Sequence, residues 1–473
     1  MSKLKIGIIG AGAAGLFGAY ELTKEDPEHV EIKIFDAGPA IEDRNCPQKT
    51  EYECAQCDPC RIMSGVGGAG VWSSGILNLH KKIGGDLEAL CDKVDLDVNR
   101  IIDEIDSFFL ANGAPNNVFD PYTNGKELIE LRRKCAAVDI RFIPIKQRLL
   151  GSKNTPKVIK SIVNYLESNF DLEIIPDTRI KAFDKHKNLI FEENKKEQFD
   201  FLLIAPGRWG MLWLAQQCNQ LGIKTFYEPL DIGVRIEVPS IVLENICENV
   251  QRDPKFHIIT PTYNDFIRTF CVNHEGYVVK ENYEENIVGV NGHQISLNGD
   301  SETSNFAFLI RQKLTAPLED TTEYGRSIAK QTSILGGYKP LLQTLGDLRS
   351  GHRSRQSLIE RNPVQPTLND YTPGDIAMAY PYRFITDILE GLNNLDKVIP
   401  GVNNNSTLIY APEFKRSAKK VDVNENLESK QIQDIFFAGD GAGLSRGIVA
   451  AAVSGIIAAK GILHSINKIR KKI

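Results

Sequence analysis

The 473-residue sequence has no run of 18 or more uninterrupted apolar residues, so no segment reads as a transmembrane helix and no membrane partner is expected. Its nearest approach, residues 447–463, is broken by Ser454, Gly455 and Lys460 and reads as a buried helix. A surplus of positive charge is also missing: 56 Lys and Arg face 61 Asp and Glu, for a net charge of -5 and a pI of about 6.0. Without a basic field to draw nucleic acid, the expected partner is a small molecule. The eight histidines form no ligand cluster, and neither a nucleophile elbow nor a phosphate-binding P-loop is present. The apolar run from Ile6 is punctuated by Gly7, Gly10, Gly12, Gly15 and Gly18, unlike a signal peptide, and a cytoplasmic location is expected.

The composition itself is ordinary: 42% hydrophobic and 25% charged residues, with length for two or three domains at about 150 residues each. Leu4 to Ile9 reads as a strand, Gly10-Ala-Gly12-Ala-Ala14-Gly15 as a turn opening a helix, and Val30 to Phe35 as a second strand ending at Asp36. In such a unit the first glycine permits the turn, the second admits a pyrophosphate and the third lets helix and strand close up. Asp36, 21 residues beyond Gly15, can accept hydrogen bonds from an adenosine ribose. It would repel a 2'-phosphate by about 4 kcal/mol at ~4 Å and an effective dielectric of ~20, which disfavours NADP here.

The carboxy-terminal region selects among the remaining dinucleotides. Phe436-Phe437-Ala438-Gly439-Asp440 sets a carboxylate at the end of an apolar strand, and a helix starting near Gly447 and Ile448 offers free N–H groups and a positive dipole end. An Asp in that place suits a ribityl hydroxyl, which FAD has and NAD lacks. Ala205 and Gly207, at another strand end, leave room for the same cofactor, and Arg44 is expected to touch it. The expected fold is therefore α/β: a split Rossmann-like FAD-binding domain with an inserted mixed-sheet substrate domain. Boundaries are expected at 1–95 (with a Cys-rich excursion at 38–75), a helical segment at 96–154, a second FAD-domain part at 155–230, the substrate domain at 231–404, and the last FAD-domain part at 405–473.

These residues, with Arg44-Asn-Cys-Pro47, Gly65-Val-Gly-Gly-Ala-Gly70, Gly233-Val-Arg-Ile-Glu237, Arg268-Thr-Phe-Cys271 and Gly439-Asp-Gly-Ala-Gly443, extend over nearly the whole chain. Taken together they resemble the bacterial FAD-dependent dehydrogenases of the glutathione-reductase-like flavoprotein superfamily, relatives of the geranylgeranyl reductases. The resemblance implies bound FAD with Gly67 and Gly68 lining it. The chain departs from the usual Phe-Ser-Asp-Gly-Lys continuation of the glycine loop, having Trp72-Ser-Ser-Gly-Ile76 instead. Loop chemistry that needs the Asp and Lys does not carry over.

Cys46, Cys54, Cys57 and Cys60 are separated by seven, two and two residues, a spacing compatible with an iron-sulfur cluster, with zinc, or with unmetallated thiols including a Cys57/Cys60 redox pair. On the substrate side, Arg235, Arg268, Cys271 and His274 are the polar candidates, the two arginines as clamps for a carboxylate or phosphate. The expected function is an FAD-dependent oxidoreductase that transfers hydride between flavin N5 and a carbon centre of a small organic substrate, with NAD(P)H or a ferredoxin-like redox protein as electron partner. The competing readings are a flavin and iron-sulfur electron-transfer module and a flavin-dependent RNA-modifying enzyme.

Overall fold

The computed structural model describes residues 3–46, 55–293, 301–317, 319–415 and 417–471. The chain forms two compact units: one from Met1–Asn117, Arg148–Glu228 and Ala418–Ile473, the other from Val118–Gln147 and Pro229–Ser417.

In the first unit, β1 (Leu4–Ile9) lies at the centre of a five-stranded sheet of described residues, ordered Ile435–Phe437, Phe201–Ile204, β1, β2 (Val30–Phe35), Leu172–Ile175. Every neighbouring pair is parallel. A parallel sheet is covered on both faces, so its strands carry unbroken apolar runs. Phe201–Ile204 and Ile435–Phe437 are accordingly buried at every position. The glycine turn leads into α1 (Ala13–Glu25), which packs closely on the helix Ile448–Arg470 where Ala14 meets Gly455. That last helix is long and apolar enough to cross a membrane by composition, with a mean hydropathy of 1.6, but 72% of its apolar window is buried. Its Val449, Val453, Ile456 and Ile457 are part of this unit's core. The stretch from Leu87 to Ala111 forms two helices, Leu87–Asp92 and Val98–Ala111. The break falls where the Asp97 side chain accepts from the N–H groups of Asn99 and Arg100 and so caps the second helix.

The second unit is a mixed sheet of eight described strands, in the order Thr372–Pro373, Leu341–Thr344, Leu408–Lys415, Leu230–Pro239, Thr303–Gln312, Phe266–Asn273, Lys255–Ile259, Arg141–Ile143. Only the Leu341–Thr344 and Thr372–Pro373 pair is parallel. Two expected boundaries move. Leu408–Lys415 pairs with Leu230–Pro239 along its length, which carries this unit to Ser417 and not to 404. The segment 96–154 is no separate body: Val98–Ala111 joins the first unit, while Gly125–Ala136 and Arg141–Ile143 join the second. Both shifts come from strand partners remote in sequence, which local periodicity does not report.

Helix Tyr382–Asp396 of this unit carries a buried carboxyl, Asp387, which accepts from Thr260 Oγ1 at 2.7 Å. Its neighbour Asp265 is held by the Arg383 fork at 2.5 and 2.7 Å. Burial pushes Asp387 up to about 6, and Asp265 adds to the rise. The folded chain then holds a proton that the unfolded chain has released, so stability falls as pH climbs from about 4 to about 6. Urea unfolding across that window should show a loss of about 1–2 kcal/mol. The loss should be absent in Asp387→Asn.

Candidate nucleotide-binding site

The site begins with the turn between β1 and α1. Gly10 has a φ of +99°, and a Cβ there would lie 2.2 Å from the carbonyl oxygen of Ala205, so both the turn and the adjoining strand end require glycine. A Cβ on Gly15 would meet Gly10 O at 2.0 Å, the close helix–strand contact expected of the third glycine. Gly12 differs. It is the N-cap of α1, has ordinary extended backbone and no capping side chain, and a Cβ there would touch only Gly68 Cα at 3.7 Å. Nothing in the chain needs a bare Gly12, and the uncapped N–H groups of the first helical turn suit an anion.

These residues open on a cavity of about 190 Å³ lined by Gly10, Gly12, Asp36, Gly68, Gly207 and Arg208. Pockets for drug-sized ligands run about 300–1,000 Å³, so this volume accommodates one end of an extended dinucleotide. Asp36 is buried at the end of β2 and accepts from three backbone N–H groups, those of Ala11, Gly38 and Gly65, each at 2.9 Å. Burial raises its pKa, against the lowering effect of those bonds and of Arg44. Three bonds leave a carboxylate acceptor capacity for a sugar hydroxyl. Its bond to Gly65 is a second task that the sequence did not reveal: it ties the 65–68 loop to the strand end.

Arg44 does not reach the cavity as a ligand contact. Its guanidinium is spent on backbone carbonyls: Nε donates to Arg61 O (3.1 Å), Nη2 to Ile62 O (2.6 Å), and Nη1 to Val66 O (2.9 Å) and Gly68 O (2.7 Å). Burial lowers its pKa to about 10, with Asp36 opposing that change. Arg44 is thus a positioning residue for the glycine loop. Gly68 lines the cavity directly, while Gly67 fixes the loop by donating to Ala11 O at 2.8 Å.

The carboxy-terminal turn packs behind these lining residues and bonds to one of them, Arg208. Ala14 packs against Gly439, and Gly441 lies against the Gly207 carbonyl. The Asp440 carboxylate accepts from Arg208 Nε (3.1 Å), Ser445 Oγ (2.8 Å) and the N–H of Gly447 (3.1 Å), so it anchors the N-terminus of Ile448–Arg470. Ala205 is fixed by a bond from its N–H to Ile9 O at 2.8 Å. Several contributors had no legible signal in the sequence. Ser454 accepts from Gly439 N at 2.9 Å from a helix-interior position. Arg179, at the cavity, stacks over Trp209 at 5.0 Å and pairs with Asp58 at 2.6 Å.

In the second unit, Arg235 is already committed. Arg235 is fully buried, forks onto Glu413 at 2.6 and 2.9 Å, and donates to Asn305 Oδ1 at 2.8 Å. Burial pushes Glu413 up, but Arg235 and Lys415 together hold it below the usual carboxylate range. Arg235 is therefore a core ion pair and not an open clamp. Replacing it with Met should destabilise the protein by about 3–5 kcal/mol by stranding Glu413, whereas Arg235→Met with Glu413→Leu should recover much of the loss. Denaturant melts of both variants measure this. Arg268 donates to Asp231 Oδ2 at 2.9 Å. His274 is buried against Ser304 Oγ at 2.9 Å, and burial lowers its pKa, consistent with a structural role. Cys271 sits on a bulge with φ +48°, its carbonyl accepting from Arg235 and Asn273.

Cys54 lies outside the described residues. Among the described residues, no group of three or more His, Cys, Asp or Glu side chains is placed to hold a metal ion. Cys46, Cys57 and Cys60 are not gathered into such a group, and Cys57 and Cys60 carry no disulfide.

Comparison with known proteins matches residues 229–416 to the family model described as FAD-dependent protein, C-terminal domain-like, and residues 376–470 to that of glucose inhibited division protein A. An uncharacterized protein of Clostridium beijerinckii is 24% identical over 97% of this chain and 81% of its own. Among solved structures, L-proline dehydrogenase from P. horikoshii aligns with a TM-score of 0.41 and 13% identity over 98% of this chain and 94% of that one. Glycine oxidase from Geobacillus kaustophilus aligns with a TM-score of 0.36 and 10% identity over 98% and 95%. Both structural likenesses are too loose to transfer a residue or a substrate. The 229–416 match covers almost the whole of the second unit's longer segment, and over that segment the chain is similar to the FAD-dependent proteins.

Proposed function

We propose that the protein is an FAD-dependent oxidoreductase that moves hydride between the flavin and a carbon centre of a small organic substrate. The observation that carries this reading is the convergence, on one cavity wall, of the Gly10–Gly12 turn, the Gly68 loop and the Gly207–Arg208 strand end, with the Asp440 turn bonded to Arg208. FAD supplies two-electron hydride chemistry when bound. The chain's own residues bind and orient it. The bare helix start at Gly12 receives the pyrophosphate, Asp36 accepts from the adenosine ribose, and Asp440 with the Gly447–Ile448 helix start serves the ribityl and flavin end. Arg208 links the two ends by holding Asp440 at the cavity rim. NAD(P)H or a ferredoxin-like protein is the proposed electron partner.

The test is purification followed by absorbance spectroscopy and chromatography of the released cofactor. A yellow protein releasing FAD, bleached by a reductant and recoloured by an oxidised substrate, supports the proposal. Colourless protein that cannot be reconstituted with FAD overturns it. Iron, acid-labile sulfide and zinc assayed on the same sample decide whether the cysteine segment adds a metal centre.

A further inference from the structure

One face of the second unit's sheet gathers cations in a row. On the strands Arg141–Ile143, Lys255–Ile259 and Phe266–Asn273, Arg141 stands opposite His257 and His257 opposite Arg268. Arg268 pairs in register with Leu309, so Arg311, two residues along Thr303–Gln312, points to the same face. One carboxylate serves two of these guanidiniums: Asp231 accepts from Arg268 Nη2 at 2.9 Å and from Arg311 Nε at 3.1 Å. Three guanidiniums against one carboxylate leave a surplus of two positive charges on this face.

The neighbouring acids do not cancel that surplus. Asp265 is taken by the Arg383 fork, and Asp253 pairs with Lys255. The cations are also braced by rings: Arg311 lies over Phe266 at 5.6 Å, Arg268 over Phe270 at 5.0 Å, and His257 meets Phe266 edge-on at 4.8 Å. A guanidinium seated on a ring keeps its fork directed and loses little freedom on binding. His257 reports the field. Its pKa is lowered to about 4 by burial first, then by Arg268, Arg141 and Arg311. The imidazole is therefore neutral at pH 7, free to donate a hydrogen bond without adding charge.

We infer that Arg141, His257, Arg268 and Arg311 form a binding site for a small ligand carrying two neighbouring oxyanion groups, carboxylates or phosphates. Two strand spacings of about 4.8 Å separate Arg141 from Arg268, so a single oxyanion does not engage both ends of the row. The inference rests on the second unit alone and stands whether or not the flavin reading does. It also replaces the expected Arg235 clamp, since Arg235 is consumed by Glu413.

The experiment titrates the full-length protein, with whatever cofactor it retains, by calorimetry using citrate, pyrophosphate and acetate as probes, and follows the His257 ring protons by NMR. Saturable binding of citrate or pyrophosphate, acetate at least about tenfold weaker, and an upward move of the His257 titration are expected. Citrate alone assigns a carboxylate ligand, pyrophosphate alone a phosphate ligand, and either result supports the site. Arg311→Gln and Arg141→Gln should each weaken binding by about tenfold or more, while Lys397→Gln, on an exposed helix end, leaves it unchanged. Arg141 is exposed at the sheet edge, so its variant keeps the test valid should Arg311→Gln unfold. Absence of saturable binding by both polyanions, or equal binding in both arginine variants, overturns the inference.

Discussion

Gly12→Ala should give a normally folded protein that fails to hold FAD. The backbone at Gly12 is extended, with φ -80° and ψ -175°, a conformation that alanine adopts without strain. The added methyl would meet only Gly68 Cα, at an ordinary 3.7 Å. The fold should therefore change in stability by no more than about 0.5 kcal/mol. The methyl does occupy the space through which a pyrophosphate approaches the uncapped N–H groups of α1. Losing even one charge-assisted hydrogen bond costs about 1.5–3 kcal/mol, so FAD affinity should fall by roughly 10-fold to 150-fold. Gly15→Ala is the contrast: its Cβ would sit 2.0 Å from Gly10 O, and that variant should lose the fold along with the cofactor. Thermal melts of the apoprotein and fluorescence titration with FAD separate the two. Wild-type FAD affinity in a folded Gly12→Ala would remove the pyrophosphate from this helix start.

Arg44→Met should be among the most damaging single changes in the first unit. The side chain is 2% exposed and its donors reach the carbonyls of Arg61, Ile62, Val66 and Gly68. Removing it leaves those acceptors without a donor in a buried setting, each worth about 1–3 kcal/mol if unmet. Local relaxation brings the net loss to about 3–5 kcal/mol, by analogy with breaking a buried charge contact. The 65–68 loop would then lose its path past Gly12, and FAD retention should fall with stability. Arg44→Lys should rescue little, because a single ammonium cannot span carbonyls spread over eight residues. Denaturant unfolding with and without added FAD checks both effects. Near-wild-type stability in Arg44→Met would show that the loop organises itself.

The motifs most readable in the sequence were those whose chemistry is local. Gly10, Gly12 and Gly15 sit between an apolar strand and a helix, and turn geometry follows from neighbours in the chain. Asp36 and Asp440 were legible as carboxylates at strand ends, and both lie at turns of the first unit. The second halves of their roles were not. The bond from Gly65 N to Asp36 and those from Arg208 and Gly447 N to Asp440 connect segments that only folding brings together. Arg44 and Arg235 were misread for the same reason. An arginine in a sequence looks like an available cation, and whether carbonyls or a glutamate 178 residues away consume it is a question of packing.

By itself the sequence determined the parallel core of the first unit, because unbroken apolar strands, a glycine turn and a small-residue helix are each dictated by short-range sterics and burial. Tertiary structure alone decided where the second unit ends, which arginines are spent and which stand in a row. Those outcomes depend on strand register across the eight-stranded sheet, where a partner's identity is set by distant residues and leaves no trace in the local pattern.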